Sequence, residues 1–114
     1  MKYFLAILLM LVACTTTSQQ STGEVKEFRI TARQFEFSPS TIQVNKGDRV
    51  RIIAETADVN HGLAIPDFKV DLLLEPGKPQ TVEFVADKTG TFTFFCNVPC
   101  GEGHREMTGT LIVN

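Results

Sequence analysis

The chain has 114 residues, of which 43% are hydrophobic and 21% are charged, and its formal net charge is −2 at pH 7. This length fits one domain rather than several. The slightly negative charge argues against nucleic-acid binding, which calls for a basic surface.

The first 23 residues differ in composition from the rest of the chain. Lys2 is positively charged, and residues 4–13 are all apolar, which is typical of a secretory signal peptide too short to span a bilayer. The run ends at Cys14 and resembles the lipobox of bacterial lipoproteins, which implies cleavage just before Cys14 and lipid attachment to its thiol. A plain signal peptide with an incidental cysteine is the alternative. Residues 15–23 are polar and predict a flexible tether, so the folded domain is expected over residues 24–114.

Most of this domain alternates between apolar and polar side chains in short runs, which is typical of half-buried strands. In chain order, the runs are Val25–Thr31, Phe35–Phe37, Ile42–Val44, Val50–Ala54, Val82–Ala86, Thr91–Phe95 and Met107–Val113. Turn residues occur at Asn45–Gly47, Pro66–Asp67, Glu75–Gly77 and Lys88–Gly90. The best candidate for a helix is the short segment Val70–Leu74. This pattern predicts an all-β antiparallel sandwich or barrel, and its core is expected to contain Phe35, Phe37, Phe84, Phe92 and Phe94.

Side chains that can bind a metal are concentrated near the end of the domain. Two thiols, an imidazole and a thioether follow one another at spacings of four, four and three residues, in the order Cys96, Cys100, His104 and Met107. This spacing would fit one face of a helix. However, Pro99 and two intervening glycines disfavour a helix here, so we expect an irregular loop that can wrap its side chains around one point.

The chemistry of these donors indicates a soft metal. Thiolate, thioether and imidazole suit copper, whereas calcium and magnesium require oxygen ligands. Zinc is compatible with two cysteines and two histidines, but it would leave Met107 without a role. His61 is the only other histidine in the chain, so every cysteine and histidine of the expected domain can enter one site.

Two segments resemble known copper proteins. Phe37–Asp48, followed by the isolated His61, resembles the cupredoxins, and Cys96–Met107 resembles the CuA motif, in which two cysteines, a histidine and a methionine have this spacing. CuA domains occur in subunit II of cytochrome c oxidases and in nitrous oxide reductases. The resemblance covers nearly all of residues 24–114 and implies a cupredoxin-like, antiparallel Greek-key β-sandwich.

The resemblance also implies the ligands of a pair of copper ions. These are the bridging thiolates of Cys96 and Cys100, the imidazoles of His61 and His104, the weak thioether ligand of Met107 and the weak backbone-carbonyl ligand of Val98. Two thiolates and two copper ions that share one oxidised equivalent form a core that cycles between charges of +1 and 0, which a buried site can tolerate. Such a centre suits the relay of single electrons rather than bond-making chemistry.

Alternatives remain open from the residues alone. A Cys96–Cys100 disulfide is possible in an oxidising compartment, but it leaves His104 and Met107 unexplained. A mononuclear blue-copper site needs one cysteine, two histidines and an axial methionine, and Cys100, His104, Met107 and His61 satisfy it with Cys96 as a bystander. The same ligands could also serve copper capture or delivery. An enzyme is less favoured, because no histidine or cysteine remains for a separate catalytic site.

The expected location and partners follow from the segments above. We expect an exported monomer, held at the periplasmic or extracytoplasmic face of a membrane by a lipid on Cys14. Its redox partners would be a cytochrome or a terminal oxidase or reductase. Two features depart from oxidase subunit II, which typically has transmembrane helices and an aromatic contact for cytochrome c. No such helices are expected here, and the sequence has no tryptophan and a single tyrosine, Tyr3.

Overall fold

The computed structural model describes residues 24–114; the expected signal peptide, the lipidated Cys14 and the tether lie outside the described residues. Between residues 24 and 114 the chain forms strands with two short 3-10 turns, Pro66–Phe68 and His104–Glu106. The strands are β1 (Val25–Arg33), β2 (Glu36–Ser38), β3 (Thr41–Val44), β4 (Arg49–Thr56), β5 (His61–Ile65), β6 (Val70–Leu74), β7 (Gln80–Val85), β8 (Gly90–Phe95) and β9 (Thr108–Val113). In this part of the chain, no helix is long and apolar enough to cross a membrane.

The strands form two sheets, which confirms the predicted β-sandwich. One sheet has the order β2-β1-β4-β7, and the other has the order β3-β9-β8-β5-β6. Most neighbouring strands are antiparallel, but β1 with β4 and β3 with β9 are parallel. The sandwich is therefore mixed rather than wholly antiparallel: the chain leaves β1, passes through β2 in one sheet and β3 in the other, and returns as β4 to lie parallel to β1.

The core lies between the sheets and follows the alternation in the sequence. In β4, Val50, Ile52 and Ala54 are buried while the residues between them are more exposed. Phe37 from one sheet meets Phe94 from the other, with ring centroids 5.3 Å apart in an edge-to-face arrangement, a geometry that aromatic pairs favour. This contact joins the two sheets close to the end of β8, where the loop Cys96–Met107 begins, which carries the predicted metal ligands and is called the metal-ligand loop below.

Two predictions from the sequence are wrong. Val70–Leu74, the candidate helix, is strand β6, and it pairs along its whole length with β5. A short apolar run does not distinguish a strand from a helix by its periodicity, and the pairing with β5 decides the outcome. Phe35, expected in the core, is 37% exposed, because it lies in the turn between β1 and β2 rather than in a strand. Of the other expected core rings, Phe84 and Phe92 are partly buried against the core.

The second sheet brings the distant ligand segments together. Strands β5 and β8 are antiparallel, with Ala64 opposite Phe95, so the start of β5 at His61 lies beside the residues that follow β8. Strands β8 and β9 are also antiparallel, and the Cys96 N–H donates a hydrogen bond of 3.1 Å to the Met107 carbonyl. The loop from Cys96 to Met107 is thus closed at its base, next to His61.

Candidate metal centre

Three buried side chains form the centre of a compact donor cluster. The ligand atoms of His61, Cys96 and Cys100 all lie within 4.8 Å of one another. The sulfur of Cys96 is 3.8 Å from the sulfur of Cys100 and 3.9 Å from Nδ1 of His61. His61 is the first residue of β5, and its side chain is fully buried.

The other predicted ligands surround this group. Nδ1 of His104 is 3.5 Å and Sδ of Met107 is 3.9 Å from the sulfur of Cys100. The carbonyl oxygen of Val98 is 3.1 Å from the sulfur of Cys96. The structure thus brings together all the side chains and the carbonyl that the sequence singled out, although they come from two distant segments.

The separations fit a metal shared by the two sulfurs. Zinc–sulfur and zinc–nitrogen bonds are about 2.3 and 2.0 Å long, so a metal of similar size can connect two sulfurs that are up to about 4.6 Å apart. The 3.8 Å between the sulfurs of Cys96 and Cys100 satisfies this limit. Both thiols are free, and a set of soft sulfur donors with imidazole nitrogens suits copper.

Cys100 is held as a neutral thiol in the metal-free chain. Its burial, together with the neighbouring thiol of Cys96 and the negative charge of Asp58, raises the pKa of Cys100 to about 11. Thiolates rather than thiols are metal ligands, so metal binding at this site must release a proton from Cys100.

Asp58 orients the buried histidine, and the sequence analysis did not identify it. Its Oδ1 lies 2.8 Å from Nε2 of His61. A ring N–H that points at a carboxylate leaves the other nitrogen, Nδ1, free to face the Cys96 sulfur, which is the usual arrangement at histidine metal ligands. Burial alone raises the pKa of Asp58, but hydrogen bonds from the Gln34 N–H, His61 and the Val59 N–H outweigh it and lower this pKa to about 2. The spacing of three residues between Asp58 and His61 is the only signal in the sequence that could have suggested this pair.

The turn between β1 and β2 also contacts the site, which no local pattern in the sequence indicated. The side-chain amide of Gln34 donates a hydrogen bond of 2.7 Å to the Cys100 carbonyl. The ring of Phe35 lies against the loop backbone: a Cβ added to Gly101 or Gly103 would come within 2.9 or 2.5 Å of it. An exposed aromatic ring therefore does lie on the metal-ligand loop, although the sequence contains no tryptophan there.

Comparisons with known proteins all point to the same family. The profile of the cupredoxin-like domain family matches residues 4–113. Nitrous-oxide reductase of Cupriavidus necator is 36% identical over 95 residues, which are 80% of this chain but 15% of that protein. Cytochrome c oxidase subunit 2 of Thermus thermophilus is 30% identical over 84 residues, which are 74% of this chain and 62% of that protein. The chain thus spans less than two thirds of the length of either relative.

A solved structure agrees with the fold. The periplasmic domain of subunit II of cytochrome oxidase of Bradyrhizobium japonicum superimposes with a TM-score of 0.71 and 23% identity, covering 77% of this chain and 83% of that domain. The chain belongs to the cupredoxin-like domain family, and it is homologous to cytochrome c oxidase subunit II and nitrous-oxide reductase, whose CuA domains its metal-ligand loop resembles.

Proposed function

We propose that this cupredoxin relays single electrons through a dinuclear copper centre held by His61, Cys96, Val98, Cys100, His104 and Met107. One observation carries the proposal: each sulfur has its own imidazole and its own weak donor. Cys96 lies beside Nδ1 of His61 and the Val98 carbonyl, whereas Cys100 lies beside Nδ1 of His104 and Sδ of Met107. There are thus two sets of one imidazole nitrogen and one weak donor, on either side of a pair of neighbouring sulfurs. This arrangement favours two metal positions that share the two sulfurs.

The same arrangement disfavours the mononuclear alternative. A blue-copper site would use Cys100 and leave Cys96 as a bystander. Cys96, however, is 97% buried, and its sulfur accepts a hydrogen bond of 3.4 Å from the Gly62 N–H. A buried sulfur that faces an imidazole nitrogen and a backbone N–H is placed as an anionic ligand rather than as core filler.

The protein supplies a rigid, enclosed set of donors. Copper bound there would supply a centre that gains and loses one electron at a time. Burial of His61, Cys96 and Met107 excludes water from most of the donor atoms, and the hydrogen bond from Cys96 to the Met107 carbonyl fixes the two ends of the loop. Rigid ligands need little rearrangement when charge changes, which suits electron relay and not a reaction that needs an open coordination position.

Copper counting and redox cycling of the domain test this function. The domain 24–114 should bind two copper ions and then pass through repeated oxidation and reduction in the presence of a chelator without losing them. Binding of one ion would contradict the dinuclear site. Loss of copper to the chelator in each reduced phase would instead support copper delivery. In the variant Cys96→Ser, the two-copper stoichiometry should be lost, while an exposed change that involves no sulfur, Thr41→Ser, should leave it intact.

We further propose that the chain is exported and held at the periplasmic or extracytoplasmic face of a membrane. A signal peptide over residues 1–13, a lipid on Cys14 and a tether over residues 14–23 would place a monomeric copper domain beside membrane-bound redox partners. Support comes from the homologous proteins, one of which is a subunit of a cytochrome c oxidase. The variant Cys14→Ser should move from the membrane fraction to the soluble fraction, and retention in the membrane would contradict lipidation.

A further inference from the structure

A continuous set of hydrogen bonds joins the two ligand-bearing segments through the turn between β1 and β2. The Gln34 side-chain amide donates to the Cys100 carbonyl at 2.7 Å. The Gln34 main-chain N–H donates to Oδ2 of Asp58 at 2.8 Å. The other oxygen of Asp58, Oδ1, lies 2.8 Å from Nε2 of His61. One residue, Gln34, thus contacts the partner of the buried imidazole with its main chain and the loop of the thiols with its side chain.

The hydrogen bond from Gln34 to Cys100 holds the metal-ligand loop at a point away from its two ends. The ends of the loop are fixed to each other by the Cys96–Met107 hydrogen bond, but Cys100 lies several residues away from this base. Because the Gln34 amide binds the carbonyl of Cys100 itself, it determines where that residue's backbone, and therefore its sulfur, lies relative to His61. The neighbouring Phe35 ring packs on the adjacent Gly101 and restricts the same part of the loop.

We propose that Gln34 is a positioning residue for the metal centre: before metal binds, it keeps the Cys100 sulfur close enough to the His61 ring for both to ligate the same metal. This inference rests on the proposed function. A site whose donors are already in place loses less conformational freedom on binding, which increases affinity. Gln34 contributes no ligand atom, so its effect is exerted through the backbone of Cys100 and through Asp58.

The variant Gln34→Leu tests this role, because it removes the amide donor and adds no atom that can bind copper. Gln43→Leu is the matched control, since Gln43 is exposed on β3, opposite Ile112 and away from the loop. In Gln34→Leu, copper affinity measured by chelator competition should fall by about 3- to 10-fold, the equilibrium equivalent of one hydrogen bond. The copper hyperfine splitting and the reduction potential should shift as well. Gln34→Ala also lacks the side-chain amide and should behave in the same way.

The outcomes separate the inference from the proposed function. If wild-type protein does not bind two copper ions, the proposed function is wrong and the inference falls with it. If wild-type protein binds two ions and both Gln34 variants match Gln43→Leu in affinity, hyperfine splitting and potential, the inference alone is wrong. A lower thermal stability of the metal-free Gln34 variants with unchanged copper properties would also overturn it, because that result describes a purely structural role.

Discussion

Adding one methyl group at Gly62 would test how closely β5 approaches the metal-ligand loop. A Cβ on Gly62 would lie 1.8 Å from Oδ1 of Asn97, 3.0 Å from its Cγ and 3.1 Å from its main-chain nitrogen. Gly62 follows His61 in β5, and its N–H donates a hydrogen bond to the Cys96 sulfur. The methyl group added in Gly62→Ala would therefore press on the contact between the two segments that carry the predicted ligands.

The size of the effect follows from which atoms can move. The Asn97 amide lies at the end of an exposed side chain and can rotate away by the roughly 2 Å that ordinary contact requires, but it then loses its 2.9 Å hydrogen bond to Asp71. The main-chain nitrogen must also move by a few tenths of an ångström. We expect the metal-free Gly62→Ala domain to lose about 1–2 kcal/mol of unfolding free energy, within the range for overpacked sites.

The double variant Gly62→Ala/Asn97→Ala separates the effect of the Asn97 side-chain contact from that of the contact with the Asn97 main-chain nitrogen. Removal of the Asn97 amide relieves the shortest contact, so the added cost of Gly62→Ala in this background should fall below about 1 kcal/mol. The main-chain contact persists, so copper affinity should stay reduced, by up to about tenfold, in both backgrounds. Denaturant unfolding and chelator competition measure the two quantities. Wild-type stability and copper affinity in Gly62→Ala would refute the close approach described here.

Further predictions concern packing, ligation and pH. Leu111→Ala, at a fully buried core position, should cost about 2–5 kcal/mol in denaturant unfolding, whereas Leu73→Ala, at a position 49% exposed, should cost much less. Met107→Leu should change metal-free stability by less than about 1.5 kcal/mol, yet shift the copper reduction potential because the thioether proposed as a weak ligand is lost; an unchanged potential would make Met107 a core residue only. Burial raises the pKa of Cys100 to about 11 from an ordinary 9.0, so between these two pH values the unfolded chain loses a proton that the folded, metal-free chain keeps. The free energy of unfolding is therefore unaffected by this group below pH 9 and falls as pH rises toward 11, and the thermal midpoint should fall over that interval more in wild type than in Cys100→Ala.

The metal-ligand loop could be predicted because its information is local. Cys96, Cys100, His104 and Met107 lie within a short segment, and the proline and glycines between them exclude a regular helix. His61 could be included among the predicted ligands only because it is the one histidine outside this loop. Its position at the start of β5, paired against β6, was not predicted.

The support around the ligands could not be predicted, because it depends on contacts between distant residues. Gln34 and Cys100 are 66 residues apart, and Gln34 and Asp58 are 24 apart. Neither pair has a periodicity or a motif that would join them. Val70–Leu74 shows the same limit within the fold: five apolar or acidic residues are compatible with a helix, and only the pairing with β5 makes them a strand.

Electron paramagnetic resonance of the copper-loaded, partly oxidised domain tests the central claim most directly, because hyperfine splitting counts the copper nuclei that share the unpaired electron. Two sulfurs 3.8 Å apart, each beside its own imidazole nitrogen, predict splitting by two equivalent nuclei. Splitting by one copper nucleus, in protein shown to hold its full complement of metal, would contradict the account.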